Sequence, residues 1–378
     1  MDARATGISG SPSARAATPA AATDRPILVV GCPRSGTTLL QLMLHAHPAI
    51  AIPPENRFLL ELYDQREEFG DLRDVRNRRK VARFIVRRRR SKLRDYGLDP
   101  DRTFRRIVRH GETIGSAAAV VFRDYARRFG KRRWGDKRPS YIQRLDVVLR
   151  MFPDAQIIHV IRDGRDCVSS LKRMPWWEGG TVVAIWTWRA AIIKGRRAAG
   201  RLGDDAYIEV RYEDLVTAPE EQLRRLCAFL GEDFDEAMLE PHRVSDVAVP
   251  ERKVWHVRTS ESVDDSATQR WRRDLEPEEL DLFEFVAAGQ LRRHGYELSR
   301  GRRPAPPLVP LLRFVKLDVL RTLGRVRNRR RDAARQRRYG RPVALQRPQP
   351  PAAAGDGAER ATGPGAGHAG RVEAPPTP

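Results

Sequence analysis

The chain is short of cysteine, of long hydrophobic runs and of negative charge. Cys32, Cys167 and Cys227 stand far apart among 378 residues, and no C-x-x-C pair occurs. An odd, scattered set excludes a disulfide scaffold, argues against a zinc site and fits a reducing compartment, so a cytoplasmic location is expected. No uncharged apolar run reaches the roughly 18 residues of a membrane-spanning helix. Residues 1–24 are rich in Ala, Ser, Thr, Gly and Pro with no apolar core. They do not read as a signal peptide and are expected to be disordered. Acidic residues number 49 against 71 Lys and Arg, a net charge of +22. That imbalance predicts acidic partners: nucleotides, phosphorylated or sulfated ligands, nucleic acid or a membrane surface.

What the chain does contain is organised around residues 26–40, Pro-Ile-Leu-Val-Val-Gly-Cys-Pro-Arg-Ser-Gly-Thr-Thr-Leu-Leu. Residues 27–30 are apolar and largely β-branched, which suits a central parallel strand. Gly31 and Gly36 have the G-x-x-x-x-G spacing of a phosphate-binding loop, where glycines let backbone N–H groups approach an anion. The helix that follows adds the positive end of its dipole. A nucleotide triphosphatase loop continues with Lys; this one continues Gly36-Thr37-Thr38 and carries its cation, Arg34, inside the loop.

Further along, residues 156–161 read as a buried strand, the short apolar run 49–52 as a candidate second strand, 207–210 as a short strand, and residues 134–139 as a strand end and loop. Residues 58–133 are helical in pattern and very basic, densest at Arg87-Arg88-Arg89-Arg90, and read as a helical cap over the sheet. Residues 141–150, 182–199, 219–230 and 276–295 read as helices, 211–215 as a loop leaving a strand, and 254–273 as irregular and polar. After Gly301 the composition changes. Residues 308–323 are apolar with basic interruptions and 325–341 are Arg-dense, a basic extension over 301–341 with some helical character. Residues 342–378 are Pro/Ala/Gly-rich and expected to be disordered.

Four stretches resemble one family. Pro33-Arg34-Ser35-Gly36-Thr37-Thr38 after an apolar strand resembles the 5′-phosphosulfate loop of sulfotransferases that use 3′-phosphoadenosine 5′-phosphosulfate (PAPS), in particular the tyrosylprotein-sulfotransferase-like group. Arg162, at the end of the 156–161 strand, and Ser170 eight residues later resemble its 3′-phosphate motif. Glu55, 21 residues after Arg34, stands where that group has its proposed catalytic base, and Arg57 where it has a substrate-contacting Arg. The context here is Pro-Glu-Asn-Arg and lacks the preceding acid, so a peptide tyrosine acceptor does not carry over. Asp136-Lys137-Arg138-Pro139 looks like the stretch that bears the family's catalytic Lys. Tyr212 is similar to a Tyr near the adenine, and Arg270-Trp271-Arg272 to the late loop over the nucleotide. The Arg- and Ala-heavy usage looks bacterial.

The resemblance covers residues 26–295. It implies a P-loop NTPase-like α/β fold in three layers, with a central parallel sheet of about five strands under a helical cap. It implies a sulfotransferase domain over residues 25–300 that moves a sulfuryl group from PAPS to a hydroxyl or amine acceptor without a metal. Arg34, Ser35, Gly36, Thr37, Thr38, Arg162, Ser170, Tyr212 and Arg270 would hold the nucleotide. Glu55, Lys137 and Arg34 would do the chemistry, and Arg57 would meet the acceptor. The acceptor is a small molecule, glycan, lipid or peptide that no motif identifies. No specific nucleic-acid partner is expected, and residues 308–341 are a candidate for weak membrane-surface contact. Two alternatives stay open: a P-loop kinase or NTPase, and a basic protein that binds nucleic acid or membrane through its tail.

Overall fold

The computed structural model describes residues 25–87, 93–245, 268–339 and 343–345. Residues 88–90 of the basic cluster, 254–267 of the polar stretch, and the terminal segments 1–24 and 346–378 lie outside the described residues.

Five parallel strands form the sheet: β1 Ile27–Gly31, β2 Ile50–Ala51, β3 Arg133–Lys137, β4 Gln156–Ile161 and β5 Tyr207–Arg211, in the order β2-β3-β1-β4-β5. β1 is central and pairs with β3 on one side and β4 on the other. Alternation along β1 divides its side chains between two cores. Leu28 and Val30 join Phe58, Phe122, Trp134 and Ile157, while Ile27 and Val29 join Leu40, Met43, Ile158 and Val210. Burying such a side chain contributes roughly 1.5–3 kcal/mol, which ties the loop after β1 to a rigid base.

Helices cover both faces. Thr37–Ala46 and Pro219–Leu230 supply Leu40, Met43, Leu223 and Leu226 to the smaller core. The opposite face carries Phe58–Asp64, Arg66–Phe69, Val75–Arg87, Pro100–His110 and Ile114–Arg128, then Leu145–Met151, Gly164–Lys172, Gly180–Leu202 and Pro277–Arg293. Local signals set these helix ends. Thr113 and Ser116 form a reciprocal capping box, and Gly231, at φ 72°, closes Pro219–Leu230 in the left-handed region.

Three local expectations change. β3 begins at Arg133, inside the range that patterning assigned to helices. Arg133 is buried and donates to Glu232 Oε1 at 3.0 Å and Gln156 Oε1 at 2.7 Å, so its charge is matched inside the fold. Residues 212–217 form a short helix, Tyr212–Thr217, rather than a loop, with Glu213 and Asp214 in its first turn. Residues 343–345, expected in a disordered tail, hydrogen-bond to the body: Gly115 N donates to Val343 O and Leu345 N to Met151 O. The basic extension is a helix, Leu308–Tyr339, which lays Phe314 and Asp318 toward Gly180–Leu202.

In open parallel sheets ligands bind beyond the C-terminal strand ends, where the order of strands reverses. Here that point is β1, and the segments leaving β1, β3 and β4 meet there.

Candidate functional site

The loop after β1 folds tightly because two positions are glycine. A Cβ on Gly31 would lie 2.6 Å from Val160 O and 2.7 Å from Ser35 Oγ. Gly36 has φ 93°, and a Cβ there would run into the Tyr212 ring. Arg34 adopts φ 73° without being glycine. Such a conformation costs about 1–3 kcal/mol and persists where the surroundings over-determine it, commonly at ligand sites.

Those surroundings are other parts of the site. Arg34 Nε donates to Ser170 Oγ at 3.0 Å, and Arg162 Nη1 donates to the Arg34 carbonyl at 3.0 Å. Arg162 also lies over the Tyr212 ring, 4.5 Å from its centroid. Burial, and then the like charge of Arg162, pull the Arg34 guanidinium below its usual pKa. Two cations held this close favour an anion between or beside them. Ser35 Oγ is buried in the same loop with no hydrogen-bond partner among the described residues, although buried hydroxyls are normally paired. A phosphate oxygen would satisfy it, so the residues present fit the 5′-phosphate end of a nucleotide.

On the other side of the loop, Lys137 arrives at the end of β3. Its Nζ donates to Thr38 Oγ1 at 3.2 Å and pairs with Glu55 Oε2 at 3.4 Å. Lys137 is 3% exposed and Glu55 30%, so the carboxylate faces the open side. Thr37 is buried. Arg57 stands exposed at the start of Phe58–Asp64. Arg270 precedes Trp271–Asp274, which packs on the helix that follows β4.

Six supporting residues were given no such role by the sequence reading. Asp136 is fully buried, and accepts from Asn56 Nδ2 at 2.9 Å on each oxygen and from the Tyr141 hydroxyl at 2.6 Å. Burial raises its pKa to about 6, against the lowering effect of the Tyr141 and Asn56 donors. Arg138 Nη1 donates to Asn56 O at 2.9 Å, and the Tyr96 hydroxyl to Pro54 O at 2.8 Å. Together they lock the Glu55 loop to the end of β3. Asp166 accepts from Gln269 N at 2.9 Å and Trp271 N at 3.0 Å, and so anchors the segment bearing Arg270. Position in sequence hints at Asp136 and Asn56, which adjoin Lys137 and Glu55; nothing in the sequence links them to each other.

The two histidines that follow the loop in sequence, His45 and His47, are committed elsewhere. His45 Nδ1 accepts from Ile52 N at 3.2 Å, and burial followed by the charge of Lys131 holds its pKa down at about 3. His47 Nδ1 accepts from Ala49 N at 3.0 Å while its Nε2–H donates to Asp233 O at 2.8 Å.

A family model described as "Sulfotransferase family" matches residues 26–236, more than half of the chain. "Protein-tyrosine sulfotransferase A" of Caenorhabditis elegans is 26% identical over 280 residues, 72% of this chain and 67% of that protein. "Nodulation protein NoeE" of Sinorhizobium fredii is 27% identical over 300 residues, 72% of this chain and 66% of that protein. The chain thus spans about two thirds of the length of these relatives, and 39% of the Drosophila melanogaster protein-tyrosine sulfotransferase. Among solved structures, the sulfotransferase domain from the Synechococcus PCC 7002 olefin synthase aligns with a TM-score of 0.52 at 26% identity, covering 71% of this chain and 96% of that one. The sulfotransferase domain from the curacin biosynthetic pathway shares the fold with a TM-score of 0.51 at 21% identity, covering 74% of this chain and all of that one.

Proposed function

The chain belongs to the sulfotransferase family, and from that premise we propose that it moves a sulfuryl group from PAPS to a hydroxyl or amine acceptor and releases 3′-phosphoadenosine 5′-phosphate (PAP). The observation that carries this reading is the convergence of three strand ends on one loop. Arg34, Ser170 and Arg162 meet on one side at 3.0 Å contacts, and Lys137, Thr38 and Glu55 on the other at 3.2–3.4 Å.

Each residue has a role that its chemistry suits. Arg34, Ser35, Thr37, Thr38 and the loop N–H groups hold the 5′-phosphosulfate, and Arg162 and Ser170 take the 3′-phosphate. Tyr212 backs Gly36 and Arg162 and borders the adenine end, which Arg270 closes. PAPS supplies an activated sulfuryl group on a phosphate leaving group. Sulfuryl transfer resembles phosphoryl transfer, in line and with a loose transition state, so most of the catalysis is positioning and charge stabilisation. Lys137 donates to the oxygen on which negative charge develops as the S–O bond to phosphate breaks. Glu55 accepts the acceptor's proton as the new bond to sulfur forms. Arg57, exposed beside Glu55, orients the acceptor.

The acceptor class is open among phenols, glycans, lipids and peptides, and the scattered thiols support work in a reducing, cytoplasmic setting. The test is transfer of label from PAPS across those four classes, with PAP binding measured alongside. Labelled product with stoichiometric PAP supports the reading. A folded protein that neither binds PAP nor labels any class refutes it. The kinase alternative has no supporting observation here, since buried Thr37 occupies the position of the triphosphatase Lys.

A further inference from the structure

The helix Leu308–Tyr339 has two unlike sides. One side is committed to the body. Phe314 is buried, Asp318 accepts from Trp186 Nε1 at 2.8 Å, and Arg321 lies over the Trp186 ring at 4.4 Å. One turn after another on the same side, Arg329 reaches Asp146 at 4.0 Å and Asp332 pairs with Arg66 at 3.3 Å. The opposite side is apolar and, among the described residues, uncovered. Leu308, Leu312, Val315, Val319, Leu323 and Val326 recur at intervals of three or four residues, which puts them on one face. Leu308, Leu312 and Leu323 are 75%, 67% and 62% exposed.

Charge decides what could cover this stripe. Arg313, Lys316 and Arg327 are exposed along its edge, and Arg330 follows beyond its end. Both acids of the helix, Asp318 and Asp332, are turned to the body and paired there. The free face is therefore apolar with a purely cationic border. A second copy of the chain would bring like charges together along the whole contact. Nucleic acid would meet the cations but has no use for a line of Leu and Val. An anionic bilayer surface matches both features, since acyl chains take the apolar stripe and headgroups take the cations. Among the described residues no helix is long and apolar enough to cross a membrane, so the contact is in the plane of the surface.

We propose that the outward face of Leu308–Tyr339 docks this protein on anionic lipid bilayers. The proposal does not depend on the transfer reaction, and its test uses no activity. Full-length protein is sedimented with vesicles of phosphatidylcholine alone and of phosphatidylcholine with phosphatidylglycerol, at low and high salt. Binding is expected to the anionic vesicles at low salt, to fall with salt, and to be weak on the neutral ones. Leu312→Glu/Val319→Glu/Leu323→Glu should lower binding roughly tenfold or more with the melting temperature unchanged, because all three side chains are exposed. Arg313→Gln/Lys316→Gln/Arg327→Gln should reduce it too, and decides the matter if the first variant melts early. Failure of the wild type to sediment, or binding unchanged in both variants, overturns the proposal. So does a wild-type dimer that the Glu variant converts to monomer, or binding to duplex DNA that exceeds binding to vesicles.

Discussion

Replacing Glu55 by Gln separates chemistry from architecture. Gln keeps the size of the side chain and an oxygen that can accept from Lys137, now 3.4 Å from the carboxylate, but has no basicity. A positioned general base is worth about 10²–10⁴-fold, or roughly 3–5 kcal/mol of barrier at 1.36 kcal/mol per decade. The structural cost is much smaller. Glu55 is 30% exposed and Gln can still accept from the buried Lys137, so losing the charge of this half-open pair costs on the order of 1 kcal/mol. Turnover should therefore fall by roughly two to three orders of magnitude, while PAP affinity and melting temperature hardly move. The assay is steady-state transfer at saturating PAPS, with PAP affinity by calorimetry and a melt on the same sample. His47→Asn is the control. His47 spends both ring nitrogens on Ala49 N and Asp233 O, so its loss should register in stability and little in rate. Near-normal turnover in Glu55→Gln would remove the base assignment. A loss of PAP affinity as large as the loss of rate would mean that Glu55 acts by shaping the loop and not by taking a proton.

PAP at a hundredfold excess over its dissociation constant should stabilise by about 2.7 kcal/mol and raise the melting temperature by roughly 5–10 °C, with 5′-ADP far behind; Ser170→Ala should erase most of that difference, and equal shifts with both ligands in the wild type would sink the 3′-phosphate assignment. Chelation by EDTA should leave transfer intact, because Thr37 stands where a Mg-nucleotide loop has Lys; activity lost to EDTA and restored by Mg²⁺ would favour a kinase. Burial pushes the folded-state pKa of Asp136 up to about 6, above the ordinary carboxylate value of about 4. The folded state thus holds this proton more tightly, and the associated stability, present at low pH, is lost as pH rises towards and through about 6. Chemical denaturation should show wild type losing roughly 3 kcal/mol relative to Asp136→Asn across that window; parallel pH profiles for the two proteins would refute the buried-carboxyl argument.

The parts legible in the sequence are those whose cause is local. β1 and β4 announce themselves as largely apolar, β-branched runs because a parallel sheet buries both faces of an inner strand. The loop after β1 is legible because its glycines, its cation and its hydroxyls are contiguous. β3 is obscured for the converse reason. Arg133, Asp136 and Lys137 are all buried within five residues, and each is matched by a partner far away in the chain: Glu232, Asn56 and Glu55. A pattern of burial built from remote ion pairs and hydrogen bonds leaves no periodicity behind. The same distinction divides the site. Arg34, Glu55, Lys137, Arg162 and Ser170 are recognisable because each follows a strand end in a fixed order. Asn56, Asp136 and Tyr141, which hold the Glu55 loop against β3, are invisible as a unit because Asn56 and Asp136 lie 80 residues apart. Yet the reading of Glu55 as a base depends on them, since a carboxylate on an unanchored loop would not be held near the phosphosulfate. Loosening that anchor, by Asn56→Ala for example, should therefore lower turnover without touching any group that takes part in the reaction.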